Sequence, residues 1–181
     1  MLTNLLIYRF VLVNLCFGAG AAYTVAAGWA ARLYASDTTH LTWAMTALFA
    51  GAWIWTAREI IAASVMLNCA HGEGSRAATV AMRDKDMAKI EWLSSTSEWL
   101  VGLGLLGTVV GFGIALGGID EQSLASAGGV STSVEILMRG MRVALNTTIA
   151  GTVFAMWTEV NVRMLKTALA VYWADGIDRA G

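Results

Sequence analysis

An all-α integral membrane protein with four transmembrane helices, the last extending into the cytoplasm, is the fold class this sequence predicts. Composition and pattern both point there. Apolar residues make up 57% of the chain and charged residues 14%, with a mean hydropathy of +0.61 and no proline, which is far more apolar than a soluble domain. Uncharged runs long enough to cross about 30 Å of hydrocarbon recur along the chain. The net charge of −1 carries no basic excess and argues against nucleic acid as a partner. The two cysteines form neither a disulfide framework nor a metal set. No nucleophile, metal-ligand cluster or phosphate loop points to an enzyme, a bound metal or a cofactor.

The first expected span is Phe10 to Ala31, interrupted mainly by Asn14 and Thr24. It is longer than the core of a secretory signal and is preceded by only one charge, Arg9, so it reads as a membrane helix. A polar turn from Arg32 to His40 follows, with His40 a solvated loop residue. The second span starts at Leu41 and runs seventeen uncharged residues to Arg58 and Glu59. Charges at the bilayer centre cost about 2.5 to 3.5 kcal/mol on insertion scales, so this pair marks the membrane edge. Residues 1–67 thus form an N-terminal transmembrane hairpin, its helix continuing past the edge to about Leu67.

Residues 68–97 form a short cytoplasmic segment, broken at Gly72 and Gly74. Charges of alternating sign from Arg83 to Glu91 then suggest a short solvated helix. Ser95 and Glu98 have capping-box spacing and predict a helix start just before Trp99.

The third span, Trp99 to Ile119, is uncharged and contains seven glycines. In water that much glycine would unwind a helix at roughly 1 kcal/mol each. In lipid the backbone must bond to itself, and glycine instead provides flat faces for neighbouring helices. Gly107 to Gly111 and Gly113 to Gly117 have small-xxx-small spacing, and Thr108 is flanked one turn away by Gly104 and Gly111. After a small-residue loop, Thr132 and Glu135 repeat the capping-box spacing and predict a helix running to about Ala174. About forty residues at 1.5 Å give roughly 60 Å, twice the membrane. Its uncharged part, Val143 to Thr158, is sixteen residues. Residues 98–181 therefore form a second hairpin with a projecting C-terminal helix.

Topology follows from the positive-inside rule. With a cytoplasmic N-terminus and four spans, nine of the twelve basic residues lie inside and Arg32, Arg139 and Arg142 outside. Both termini are then cytoplasmic.

Within the fourth segment Thr148, Thr152, Ala155 and Glu159 fall at spacings of four, three and four, on one helical face. Two uses fit such a stripe: hydroxyls bonding back to their own helix, or a polar pathway ending at a carboxylate. Neither this helix nor the third has an ionisable group near mid-membrane. A proton path along them therefore needs a carboxylate from another chain.

The run Gly104-Leu105-Leu106-Gly107-Thr108-Val109-Val110-Gly111, followed by Gly140 to Gly151 (GMRVALNTTIAG), resembles the paired signature of the MotA/TolQ/ExbB proton channel family. The four-span plan is similar to the MotA branch, with a minimal cytoplasmic domain. The resemblance implies an ion-conducting subunit, with the proton as the ion, in a bacterial inner-membrane motor or energy-transducing complex that turns ion-motive force into motion of a partner. It further implies a homo-pentamer in the bilayer around a dimer of a single-span MotB/ExbD/TolR-like protein that carries a membrane aspartate. Carried over by position, Thr108 and Thr148 face that aspartate. Thr152 and Glu159 extend the ion pathway toward the cytoplasm, and Gly104, Gly107, Gly111 and Gly151 are helix-packing positions. Where the ExbB and TolQ branch often has an acidic residue, this chain has Val143. A non-conducting, glycine-packed oligomeric scaffold is the alternative that the glycine faces fit equally well.

Overall fold

A computed structural model describes residues 2–37, 39–69, 76–118 and 127–178. Among these, all regular structure is helical: α1 (Leu2–Ala26), α2 (Trp29–Ser36), α3 (Leu41–Cys69), α4 (Arg76–Gly117) and α5 (Ala127–Asp178). Three stretches are long and apolar enough to cross a bilayer: Leu6–Ala26, Leu41–Val65 and Lys85–Gly117. Each contains a long apolar window nearly free of charged residues. The chain is an all-α, multi-pass membrane protein. The last helix is not among those three; charges flank its sixteen-residue uncharged stretch, which spans only about 24 Å.

The first helix ends earlier than its apolar composition predicts. Where a single span to Ala31 was expected, α1 stops at Ala26 and Gly28 adopts φ 72°, a left-handed geometry that glycine enters without the Cβ penalty. The Gly28 N–H bonds to the Val25 carbonyl at 3.0 Å, closing α1. The polar turn expected from residue 32 is instead mostly the short helix α2. Asp37 then organises the start of α3: its Oδ1 accepts the Thr39 N–H at 3.0 Å and its Oδ2 the Thr42 N–H at 2.6 Å. Burial would raise this carboxyl, but the hydrogen bonds from Thr39 and Thr42 prevail and hold it below the usual carboxylate range. His40 is exposed, with φ 57°.

Neither capping-box spacing starts a helix. Arg76 to Gly117 is one helix, and the Ser95 hydroxyl donates to the Glu91 carbonyl at 3.1 Å, bonding back along its own helix as mid-helix serines do. The alternating charges of residues 83–91 are therefore part of α4, where Lys89 reaches Glu59 of α3 at 3.5 Å and Asp86 at 3.8 Å. Likewise α5 begins at Ala127, before Thr132, and Glu135 pairs with Arg139 at 3.8 Å. The break expected at Gly72 and Gly74 lies outside the described residues.

Two apolar clusters hold the helices together. Leu6, Ile60, Leu93, Val162 and Leu165 join α1, α3, α4 and α5, and Met45, Leu100, Ala150 and Ala155 join α3, α4 and α5, with Phe49 and Phe154 packed against them. The most intimate pairing is α4 with α5, which sets the geometry of the candidate site.

Candidate functional site

Along the α4–α5 seam the two backbones touch. A Cβ on Gly111 would lie 2.6 Å from the Ala144 nitrogen and 2.7 Å from the Gly140 carbonyl oxygen; one on Gly151 would lie 2.7 Å from the Leu100 carbonyl oxygen and 2.9 Å from the Gly104 Cα. A Cβ on Gly104 would lie 3.3 Å from the Thr147 carbonyl oxygen and 3.5 Å from the Thr148 Cα, and one on Gly107 would collide with the Thr147 side chain. These four glycines, with Gly140, therefore occupy one continuous antiparallel contact. Glycine is required here by close approach, which is how small residues work between membrane helices.

The threonines sit at the edge of this seam. Thr148 is half-buried; its hydroxyl donates to the Ala144 carbonyl at 3.0 Å and lies 3.4 Å from the Gly104 carbonyl across the seam. Gly104 is one turn from Thr108, itself half-buried, whose hydroxyl donates to the Leu105 carbonyl at 2.5 Å. Thr152 is exposed and bonds to the Thr148 carbonyl at 2.8 Å.

Glu159 closes the row just beyond the uncharged stretch. Its Oε1 accepts the Arg163 Nε–H at 2.9 Å and its Oε2 accepts the Ser97 hydroxyl of α4 at 3.2 Å. The hydrogen bond from Arg163 holds this carboxyl below the usual range; burial opposes the shift, while Ser97 and the Arg163 and Lys166 charges reinforce it. Glu159 is therefore ionised at neutral pH. Two turns further on, Lys166 Nζ donates to the Ser94 hydroxyl at 3.1 Å. Hydroxyls and a carboxylate thus follow one edge of the seam, and no side chain from Trp99 to Gly118 or from Val143 to Thr158 is ionisable. Among the described residues no cluster has the makings of a metal site.

Two features escape sequence reasoning. Thr147, rather than Thr148, is the buried threonine at 1% exposure and packs on Gly107; one residue along a helix is 100° of rotation, and adjacent threonines give no local signal of which turns inward. The second is a polar node behind the seam, where Asn14 of α1 meets Asn161 of α5 at 2.9 Å. Only the tertiary fold reveals that pairing.

A sequence profile of the MotA/TolQ/ExbB proton channel family matches residues 73–173, more than half of the chain. The chain belongs to the MotA/TolQ/ExbB proton channel family. The matched region takes in both glycine-bearing helices and leaves α1, α2 and α3 outside. The seam and its threonine edge thus lie entirely within the part that makes this chain a MotA/TolQ/ExbB protein. Comparison with curated proteins and with solved structures returns no match.

Proposed function

We propose that this chain is the ion-conducting subunit, with the proton as its ion, of an inner-membrane complex that converts ion-motive force into motion of a partner. The observation that carries this reading is the edge of the α4–α5 seam, where Thr108, Thr148 and Thr152 run to Glu159 and Ser97 with no titrating group in the membrane. Hydroxyls can pass a proton between waters, but the site that takes it up must come from another chain. In this reading the other chain is a dimer of a single-span MotB/ExbD/TolR-like protein bearing a membrane aspartate, surrounded by five copies of this chain. The helix α5 crosses the bilayer as the fourth span, with Val143 to Thr158 at its centre, and both termini are cytoplasmic. One charge crossing 100 mV releases roughly 2.3 kcal/mol, enough to bias a packed bundle between discrete arrangements.

Glu159 is the proton exit. A carboxyl held below its usual range keeps a delivered proton only briefly, which suits release into the cytoplasm. A second reading is favoured by one specific observation: the hydroxyls of Thr108, Thr148 and Thr152 all donate to carbonyls of their own helices, as they would in a non-conducting scaffold.

Native mass spectrometry of the complex drawn gently from host membranes, followed by flux measurements in vesicles, separates the two. The channel reading expects five copies with two of an aspartate-bearing partner. It also expects flux lowered about tenfold or more by Thr108→Ala or Thr148→Ala, and reduced by Glu159→Gln with assembly intact. A symmetric oligomer of this chain alone that passes no ions would establish the scaffold instead.

A further inference from the structure

Gly104, Gly111, Gly140 and Gly151 bring α4 and α5 to backbone distance, and the Thr147 side chain seats on Gly107. On this side close packing holds α5. Its other side carries a second, polar set of contacts.

That side carries Trp157 and Asn161, one turn apart. Asn161 is 1% exposed. Asn14 Nδ2 donates to Asn161 Oδ1 at 2.9 Å and to the Phe10 carbonyl at 2.9 Å. Asn14 Oδ1 accepts the indole N–H of Trp53 at 2.7 Å, that of Trp157 at 2.8 Å and the Asn161 amide at 3.4 Å. One amide therefore gathers donors and acceptors from α1, α3 and α5, and both of its N–H groups are used. Away from water, separating such groups leaves polar atoms unpaired, so the arrangement is held in angle as well as in distance. A single buried asparagine pair is an established means of fixing helix register.

From this geometry we infer that the Asn14–Asn161 pair holds the rotation of α5 from behind the seam, and with it the direction in which Thr148, Thr152 and Glu159 face. The inference rests on the reading of that face as an ion path. Glu159 and Asn161 are about 200° apart around the helix and only about 3 Å apart along it. At one level, then, α5 is gripped by Ser97 of α4 on the ion-path side and by Asn14 of α1 on the other. Asn14 touches no ion; it is a positioning residue, and α1 braces the conducting hairpin from behind.

The test uses the full chain in its host's membranes. A nitroxide label is attached at Thr152→Cys or, separately, Val153→Cys, with Cys16→Ala and Cys69→Ala removing the native thiols. These adjacent positions are 100° apart. Collision with dissolved oxygen reports exposure to lipid, and collision with a water-soluble nickel chelate reports exposure to water. Asn14→Leu keeps the branched shape and removes the hydrogen bonds. It is expected to shift the oxygen-to-nickel ratio at 152 and 153 in opposite directions, each by about threefold, and to lower ion flux by about tenfold. Unchanged ratios, or equal shifts in the same direction that report general loosening, would overturn the inference. Should Asn14→Leu fail to fold, Trp157→Phe removes one donor while keeping the ring stacked on Phe17, whose centroid is 5.1 Å away; opposite shifts at the two labels support the inference and their absence rejects it. A parent complex that conducts nothing would defeat the channel reading, and the label ratios would still decide whether Asn14 holds the rotation of α5.

Discussion

Along their glycines α4 and α5 meet backbone on backbone, whereas α1 and α3 meet α5 through long side chains. On the first side, Gly111 and Gly151 leave no room for a single added carbon. On the second, Phe49 stacks on Phe154 at 4.7 Å and meets Trp157 in a tilted pair at 4.9 Å, Phe17 stacks on Trp157, and Asn14 ties Trp53, Trp157 and Asn161 together. The seam is specified by the absence of atoms and the back by their presence. Opposite kinds of substitution should therefore injure the two halves.

The largest effect is expected at the seam. In Gly111→Val the new side chain meets the Ala144 nitrogen and the Gly140 carbonyl, neither of which can step aside without moving α5. Overpacking of this kind costs about 3 kcal/mol, and the thermal midpoint of the detergent-solubilised chain should fall accordingly. A midpoint within a degree of the parent would mean that the seam opens more easily than its distances indicate. Phe49→Ala tests the back by removal. Two aromatic pairs at about 1 kcal/mol each set the expected loss at about 2 kcal/mol, read by the same measurement. If Phe49→Ala is more damaging than Gly111→Val, the ranking of the halves is reversed.

The smallest effect sharpens the comparison most. Gly102, Gly113 and Gly117 lie on α4 with nothing within 4 Å of a would-be Cβ, so Gly113→Ala should leave the isolated chain unchanged or more stable by up to about 1 kcal/mol. Assembly of the complex should nevertheless weaken if that open face is covered by another helix, as a pentamer around a partner requires. Native mass spectrometry of the Gly113→Ala complex reads this directly, and full assembly would indicate that this face of α4 meets lipid.

Much of the seam was legible in the sequence because close helix packing in lipid depends on small residues at helical spacing, and Gly104, Gly107, Gly111 and Gly151 stand in that pattern. The helical class was legible from the uncharged runs. Boundaries were less so. Ser95 and Thr132 carry the spacing of a capping box, yet a serine hydroxyl bonds equally well to a carbonyl one turn back, and no proline intervenes to force a start. Gly28 stood in an Ala-rich run like other glycines, and its left-handed backbone emerged only where α1 turns into α2. Asn14 was visible as a polar interruption, but its partner stands 147 residues away. A pairing at that distance leaves no periodic trace in the chain.

The unbroken course of α4 and α5 has a mechanical consequence. With 42 and 52 residues and no proline to bend them, they form stiff paired rods of about 63 and 78 Å, bonded along a shared seam. A tilt of about 5° at one end of such a rod displaces the other by about 6 Å. Small angular changes within the bilayer thus become displacements of atomic-contact size outside it, delivered without any intervening joint to absorb them.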